Sequence, residues 1–348
     1  MSESPALPLS MPAEWSPHAA TWISWPHNPE TWPGLLAEAE AAMTDFVVAL
    51  APYETVHINV LNDEHAEAVA RRFERSVPEG SVVLHRVPTD DAWIRDYGAI
   101  IVRDANGDYA AVDFGYNAWG GKYPPYDHDL AVAARMAEIL ALPRVACDMI
   151  LEGGSVDVNG AGLGLVTEQC LLNPNRNPTL GRQDIVGKLR DLLGLTELIW
   201  LGDGVVGDDT DGHIDNLCRF VAERAVVTVV ASDRDDPNYA PLADNLARLE
   251  AFESADGRGL EIQTLPLPAP VFHRGQRLPA SYANFLIANE IVLMPSYGCA
   301  EDDAARGVLA DCFADRRIVP IDCRALVAGL GALHCLTQQI PVMVAAAA

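Results

Sequence analysis

Basic residues are scarce in this sequence. Of its 348 residues, 24 are Lys or Arg and 49 are Asp or Glu, which gives a formal net charge of −25. No cluster of basic residues occurs along the chain, whereas proteins that hold a phosphate backbone need such clusters. The composition therefore argues against nucleic acid as a partner, and the negative field favours a cation.

Long apolar runs and export signals are also missing. The apolar stretches fall far short of the roughly 18 residues that a membrane-spanning helix needs. Residues 1–15 contain no Lys or Arg and no continuous apolar segment, so they do not resemble a secretory signal. These absences predict a cytoplasmic protein with no membrane partner.

Paired cysteines are absent as well. The seven cysteines are scattered without a CxxC pair, which argues against a structural zinc site and against a disulfide framework. Most cysteines in such a chain are buried apolar residues, so a catalytic role for any of them needs its own argument. They are Cys147, Cys170, Cys218, Cys299, Cys312, Cys323 and Cys335.

Helix-period and strand-like segments alternate along the whole chain, which predicts an α/β fold. No long linker interrupts the alternation, so a single domain over residues 1–348 is expected. GxGxxG occurs once, at residues 202–207, but no helical pattern follows it, and GxxxxGK[ST] does not occur, which removes the usual support for Rossmann and P-loop folds. Helices are predicted at 35–50, 66–73, 129–140, 183–193, 240–252 and 301–313, and strands at 55–61, 82–87, 162–167, 197–201, 225–230, 291–294 and 317–321.

A first group of acidic residues surrounds Trp93. Asp90, Asp91 and Asp96 lie within a few residues of this indole, just after a predicted strand. An aromatic ring can face a planar cation while carboxylates accept its N–H donors, so the segment suits a cation receptor. The alternative is a solvated turn in which Trp93 caps the core.

A second candidate is Glu152, which precedes Gly153 and Gly154 at the end of an apolar stretch. Paired glycines allow the backbone to approach another group closely, which would place Glu152 at the rim of a site. An ordinary turn with a surface glutamate is the alternative.

A third candidate lies in residues 207–216, where four aspartates surround His213. If this segment is a strand, His213 and Asp215 project to the same face, where an imidazole and a carboxylate can share one substrate. A calcium loop does not fit, because Cys218 would stand where the bidentate glutamate belongs.

A metal site at the same segment is a further alternative. Asp211, His213 and Asp215 fit the D-x-H-x-D pattern of the manganese ureohydrolases. Those enzymes need further aspartates, and the nearest acidic segment has Arg234 where a ligand would be expected.

The fourth candidate is Cys335, which follows a glycine-containing segment, residues 329–334. Such a backbone can present a thiol in a cleft with donors nearby. Extended neighbours point to opposite faces, so His334 is a poor candidate for the general base and His213 is a better one.

Taken together, these motifs resemble the agmatine deiminase family, which is related to the porphyromonad-type peptidylarginine deiminases within the pentein superfamily of guanidine-modifying enzymes. The resemblance covers nearly the whole chain. One departure is the segment Gly329-Leu330-Gly331-Ala332-Leu333, which stands where the family usually has a glycine triplet and Asn. Further matching segments are residues 11–18, 117–122, 168–178 and 280–285.

The resemblance also implies the role of each site residue. Cys335 would be the nucleophile, His213 the general acid and base, and Glu152 a carboxylate that assists proton movement and holds the guanidinium. Asp96 and Asp215 would accept the guanidinium N–H donors. Trp93 and Trp119 are expected to line the substrate site.

The implied reaction converts agmatine and water to N-carbamoylputrescine and ammonia through a covalent amidino-cysteine, in putrescine biosynthesis or agmatine catabolism. The resemblance implies a five-bladed α/β propeller of ββαβ units around a central channel, a homodimer, and no metal or organic cofactor. A peptidylarginine or free-arginine deiminase is the first alternative. A metal-dependent ureohydrolase and a non-catalytic binder of guanidines or polyamines are the others.

Overall fold

The computed structural model describes residues 8–343. Residues 1–7 and 344–348 of the predicted single domain lie outside this range. Strands and helices alternate through the described residues, and the predicted α/β class is confirmed. No helix in this part of the chain is long and apolar enough to cross a membrane.

The strands and helices are numbered in chain order. The strands are β1 His18–Ser24, β2 Thr55–Val60, β3 Val82–Arg86, β4 Ile100–Arg103, β5 Tyr109–Gly115, β6 Arg144–Ile150, β7 Val156–Val158, β8 Leu163–Thr167, β9 Glu197–Leu201, β10 Cys218–Ala222, β11 Ala225–Val230, β12 Glu261–Pro266, β13 Phe272–His273, β14 Gln276–Arg277, β15 Leu286–Ile287, β16 Ile291–Ser296, β17 Arg317–Asp322 and β18 Thr337–Pro341. The helices are α1 Leu36–Leu50, α2 Asp63–Arg71, α3 Ile94–Tyr97, α4 Ala118–Gly121, α5 Asp129–Ile139, α6 Glu168–Leu171, α7 Arg182–Leu193, α8 Tyr239–Glu250 and α9 Glu301–Cys312.

One arrangement recurs in five of the sheets formed by residues 8–343. An antiparallel pair of strands is followed by a helix, and the chain then returns as a strand parallel to the second member of the pair. The orders are β4-β5-β6, β7-β8-β9, β10-β11-β12, β15-β16-β17 and β18-β1-β2-β3. In the last of these, β18 pairs with β1 from the opposite part of the chain.

The helices follow from the spacing of their apolar residues. In α7, Ile185, Leu189 and Leu193 recur every fourth residue and are the buried positions. The Asp184 carboxylate accepts the N–H of Gly181 at 2.9 Å at the start of this helix. Each buried side chain of this size stabilises the fold by about 1.5–3 kcal/mol.

The continuous apolar runs in the sequence correspond to strands buried on both faces. In β16, residues 291–294 are completely inaccessible to solvent, since the strand lies between β15 and β17 in its sheet. α1 packs on the same sheet through its contacts with β16 and β17. Burial on both sides explains the absence of alternation in this segment.

Candidate active site

The site residues occupy equivalent places in the five repeating sheets. Each lies within a few residues of the first strand of a sheet, on the segment that leads into that strand. Repetition of one arrangement therefore brings segments that are far apart in sequence to a common place. Asp96 precedes β4, Glu152 precedes β7, His213 and Asp215 precede β10, Asn284 precedes β15, and Cys335 precedes β18.

The thiol of Cys335 lies among polar partners although only 6% of the residue is exposed. Its Sγ receives a hydrogen bond from Asn284 Nδ2 at 3.0 Å and lies 3.5 Å from Asp215 Oδ2. Burial raises the pKa of Cys335 well above its usual value, and the charges of Asp215 and Asp96 raise it further. Both effects favour the protonated thiol, and a cation placed beside it would favour the thiolate.

His213 is completely buried, and neither ring nitrogen has a hydrogen-bond partner among residues 8–343. Its Nδ1 lies 3.7 Å from Asp96 Oδ1. Burial lowers the pKa of His213, but Asp96, Cys170 and Glu152 outweigh this effect and raise the pKa well above its usual value. The imidazole is therefore an available proton donor, and both of its nitrogens are free to meet a ligand.

Asp96 is held by two donors. Its Oδ2 accepts Trp119 Nε1–H at 2.9 Å, and its Oδ1 accepts the N–H of Gly154 at 3.0 Å. Burial raises the pKa of Asp96 to about 6, although His213 acts in the opposite direction. A Cβ atom at Gly154 would lie only 2.7 Å from His213 Nδ1, so the close approach inferred from the paired glycines is present here.

Glu152 lies deeper than predicted. Only 1% of the residue is exposed, so it is not a surface residue of an ordinary turn. Its Oε1 accepts Arg176 Nε–H at 2.6 Å, and Arg176 also binds Asp211 Oδ2 at 2.6 Å and the carbonyl of Thr210 at 2.8 Å. Arg176 thus fixes one oxygen of Glu152 and joins the Glu152 turn to the segment before His213.

Asp215 belongs to a buried chain of charged groups. Its Oδ2 lies 2.8 Å from His334 Nδ1, and His334 Nε2 lies 3.0 Å from Glu14 Oε2. Glu14 in turn pairs with Arg219, which also pairs with Asp157. Burial opposes ionisation of Asp215, but His334, His213 and Arg219 lower its pKa below the usual value. Asp215 is therefore ionised, and its Oδ1 is buried with no partner among the described residues.

Two local predictions are wrong. Residues 214–216 form a 3₁₀ turn that follows positive φ angles at Asp211 (66°) and Gly212 (83°), so His213 and Asp215 do not share the face of a strand. His334 also lies in a turn, and its ring contacts Asp215. The backbone at His334 is therefore not extended as predicted, but its ring is still a poor base because carboxylates engage both nitrogens.

A cavity of about 500 Å³ opens above the thiol. Four of the predicted residues line it, while His213, Glu152 and Asp215 lie behind this layer. The wall is strongly acidic and contains one arginine, Arg274. The predicted residues in the lining are Trp93, Asp96, Trp119 and Cys335, and the further acids are Glu30, Asp90, Asp91, Asp129 and Asp209.

The segment before Cys335 has an unusual backbone. Leu330 adopts φ 74°, a left-handed conformation that favours glycine, at the point where the sequence departs from the family pattern. Its neighbours have no room for a side chain, because a Cβ at Gly331 would lie 2.5 Å from Trp93 and one at Gly329 2.7 Å from Trp32. Trp93 therefore packs directly on the backbone that presents the thiol.

One group of potential metal ligands occurs in the described part of the chain. A carboxylate oxygen of Glu152, the thiol of Cys170 and a ring nitrogen of His213 lie within 4.8 Å of one another. A metal ion bound there would compete with Arg176, which already donates a hydrogen bond to Glu152. The D-x-H-x-D alternative has a different geometry, since Asp211 pairs with Arg176 and Lys122 whereas Asp215 pairs with His334.

The sequence analysis assigned no role to several residues that contribute to the site. Asn284 and Arg176 fall in matching segments that gave no hint of their contacts, and Glu14 and His334 belong to a buried network that spans the chain. A polar residue inside an apolar surrounding, as at Asn284, is the sequence signal that could have indicated one of them.

Comparison with known proteins gives consistent matches. The model of the Porphyromonas-type peptidyl-arginine deiminase family matches residues 10–341. The agmatine deiminase of Pseudomonas aeruginosa strain LESB58 is 37% identical over 95% of this chain and 95% of its own. The chain is also similar in structure to the agmatine deiminase of Enterococcus faecalis, with a TM-score of 0.90 and 32% identity over 97% of both chains. The substrate-bound agmatine deiminase of C. jejuni is similar as well, with a TM-score of 0.87 and 31% identity over 98% of both chains.

Proposed function

Because the chain belongs to the Porphyromonas-type peptidyl-arginine deiminase family, we propose that it is a hydrolase that converts agmatine and water to N-carbamoylputrescine and ammonia. The observation that carries this function is a thiol 3.5 Å from Asp215 Oδ2, with Asp215, Asp96 and an imidazole with free nitrogens grouped around Gly154. The choice of agmatine as substrate rests on the relatives named above, and the arrangement of the site residues is consistent with deimination through a covalent intermediate.

Binding of the guanidinium requires acceptors for several N–H donors in one plane. Asp215 Oδ1 is buried and unpartnered, and Asp96 lies across from it beside His213. The pKa of Asp96 is raised and that of Asp215 is lowered, so Asp215 ionises more readily than Asp96. A bound guanidinium would favour the ionised form of both.

The first half of the reaction forms the covalent intermediate. As the substrate cation binds, the Cys335 thiol releases its proton to solvent, and the resulting thiolate attacks the guanidinium carbon and forms a carbon–sulfur bond. His213 donates a proton to the departing nitrogen, and the carbon–nitrogen bond breaks to release ammonia. The product of this half is an amidino-cysteine.

The second half restores the thiol. His213, now neutral, takes a proton from water as the oxygen attacks the same carbon. The carbon–sulfur bond breaks, the remaining proton of the attacking water passes to the sulfur, and the ureido product leaves. Glu152 holds the substrate and assists proton movement next to His213. No step in this course draws on a metal or an organic cofactor.

The wall of the cavity favours a substrate with two positive charges. Five carboxyl groups besides Asp96 line the space above the thiol, and Arg274 is the single Lys or Arg among its lining residues. Agmatine is a dication, whereas free arginine brings a carboxylate that these acids would repel. This balance is the reason to place agmatine ahead of free arginine.

We also propose that the five repeating sheets close into a five-bladed propeller that forms one catalytic domain. The pairing of β18 with β1 and the equivalent positions of the site residues support this closure. A homodimer, a cytoplasmic location, and the lack of nucleic-acid and membrane partners stay predictions from the sequence and the family resemblance.

The substrate assignment is tested by measuring ammonia release from agmatine, arginine and a blocked arginine peptide in parallel, with the product mass determined. We expect agmatine to be the best substrate and N-carbamoylputrescine the product. Comparable rates on all three compounds would refute the substrate assignment. Urea and putrescine as products would instead indicate a ureohydrolase, and agmatine binding with no turnover would indicate a binding protein.

A further inference from the structure

One buried carboxyl group in the cavity wall has no role in the chemistry described above. Asp129, the first residue of α5, is 2% exposed and lines the cavity. Its Oδ1 accepts the N–H groups of Asp90 at 2.8 Å and Asp91 at 3.4 Å. Its Oδ2 accepts no hydrogen bond from any of residues 8–343, so one oxygen of a buried carboxyl group is left for another donor.

A second buried polar group lies in the same wall. Tyr116 is 5% exposed and lines the cavity, and its hydroxyl is buried without a partner among the described residues. Its ring packs edge-to-face on Trp119, with 5.5 Å between ring centroids. Trp119 donates a hydrogen bond to Asp96, the carboxyl group proposed to bind the guanidinium. The Trp119 ring therefore lies between Asp96 and Tyr116.

Asp129 also lacks a cation. It forms no ion pair with a Lys, Arg or His of the described chain, and burial together with the charges of Asp91 and Asp90 raises its pKa to about 8. Other acids in the wall have partners: Asp91 accepts from Thr31, and Asp209 accepts from Tyr123. A buried carboxyl group without a cation is stabilised when a ligand brings one.

Aromatic rings connect the guanidinium carboxyl group to this part of the wall. Trp119 donates to Asp96, and the centroid of its ring lies 5.5 Å from that of Tyr116. The face of an aromatic ring also attracts a cation.

We propose that Asp129 and Tyr116 form a subsite for the primary ammonium group of the substrate. The inference rests on the proposed function and identifies the residues that select an amine over a carboxylate at the end of the chain. Asp129 Oδ2 would accept a charge-assisted hydrogen bond from the ammonium, and the Tyr116 hydroxyl would accept another. The carboxylate of free arginine brings no cation to Asp129 and would raise the pKa of this buried carboxyl group further.

The test compares agmatine with n-butylguanidine, which has the same carbon chain without the ammonium group. We expect Asp129→Asn to lower the ratio of kcat/KM for agmatine to kcat/KM for butylguanidine roughly 10- to 100-fold, since a hydrogen bond to a charged group is lost. The change should lie mainly in KM. Tyr116→Phe, which removes only an unpartnered hydroxyl, should lower the same ratio by less.

Asp209→Asn is the matched control, because Asp209 lines the same cavity but its carboxylate accepts from Tyr123. We expect its effect on the ratio to be clearly smaller than that of Asp129→Asn. Equal losses on both substrates in Asp129→Asn and Tyr116→Phe, or no loss on agmatine, would overturn the subsite.

A binding measurement separates failure of the subsite from failure of the proposed function. Agmatine affinity is measured by calorimetry in Cys335→Ala and in Cys335→Ala combined with Asp129→Asn. Weaker binding in the double variant supports the subsite even if the wild-type protein releases no ammonia from agmatine, which would refute the function alone. Equal affinity overturns the subsite whatever the activity.

Discussion

The Asn284 side chain donates to the thiol of Cys335, with 3.0 Å between Nδ2 and Sγ. The Oδ1 atom of the same amide accepts the backbone N–H of His334 at 3.0 Å and that of Cys335 at 3.4 Å. One buried amide therefore fixes both the sulfur and the turn that carries it. Its donor opposes the rise in the pKa of Cys335 that burial and the nearby carboxylates cause.

Replacing Asn284 with aspartate should make the thiolate harder to form. Asn284→Asp keeps the acceptor for the backbone but replaces the donor to Cys335 with a negative charge, so the pKa of the thiol should rise further. We expect the rate of alkylation by iodoacetamide, measured against pH and assigned to Cys335 by mass spectrometry, to shift to higher pH. An unchanged pH profile would contradict a direct effect of this amide on the sulfur.

Removal of the nucleophile should abolish turnover. Cys335→Ala lacks the only sulfur at which we place the amidino intermediate, so ammonia release from agmatine should fall to background. Cys147→Ala is the control, because Cys147 is half-buried in β6 and lies away from the cavity lining. Ammonia release at a normal rate by Cys335→Ala would refute the covalent mechanism.

Loss of His213 should damage catalysis more than folding. A general acid and base typically contributes about 100- to 10,000-fold to the rate, so we expect His213→Gln to lower kcat within this range. The ring forms no hydrogen bond among the described residues, so glutamine leaves the surrounding hydrogen bonds in place and removes only the ion-pair partner that lies 3.7 Å from Asp96 Oδ1. Stopped assays of ammonia together with thermal unfolding monitored by circular dichroism check both parts. A large fall in Tm would show that His213 is mainly structural.

Arg219 should be important for stability. This fully buried guanidinium pairs with Glu14 and Asp157, and Arg219→Met would leave Asp157 without its cation and Glu14 with His334 alone. We expect the free energy of unfolding to fall by about 3–5 kcal/mol. Arg86→Met, which removes an exposed ion pair with Asp63, should change it little. Urea denaturation measures both variants, and equal effects would contradict a special role for the buried pair.

Stability should decrease on acidification because of Glu14. Burial opposes its ionisation, but Arg219 and His334 lower its pKa far below the ordinary value of 4.5. The unfolded chain therefore binds the proton more readily, so this contribution is full above about pH 4.5 and declines as the pH falls below it. Urea denaturation at several pH values should show a shallower acid loss in Glu14→Gln than in the wild-type chain. Parallel curves would assign the acid sensitivity to other groups.

The periodicity of apolar residues in the sequence was sufficient to predict several of the longer helices and strands. The helix predicted at residues 35–50 is α1 at Leu36–Leu50, and the strands at 197–201 and 225–230 match β9 and β11. β18 was not predicted, because Thr337–Pro341 is rich in polar residues that do not alternate. These residues are nevertheless buried, and Gln339 receives a hydrogen bond from Arg95, 244 positions away.

Only those site residues could be predicted whose neighbours in the sequence indicate their role. The acids at Asp96 and Glu152 stand beside an indole and a pair of glycines, and both lie where a cation could meet them. Asn284 and Glu14 act through contacts with residues 51 and 320 positions distant, which no local pattern can indicate. The turn at His213 was missed because the positive φ at Asp211 is set by its tertiary surroundings.

The order of the active-site residues along the chain has a consequence for protein synthesis. Asp96, Glu152, His213, Asp215 and Asn284 all precede Cys335, and the strand that follows the thiol must still pair with β1. A growing chain folds its earlier segments first. A ribosome-bound chain therefore contains the acids of the site before it contains the thiol, and activity begins only when the strand after the thiol has paired with β1.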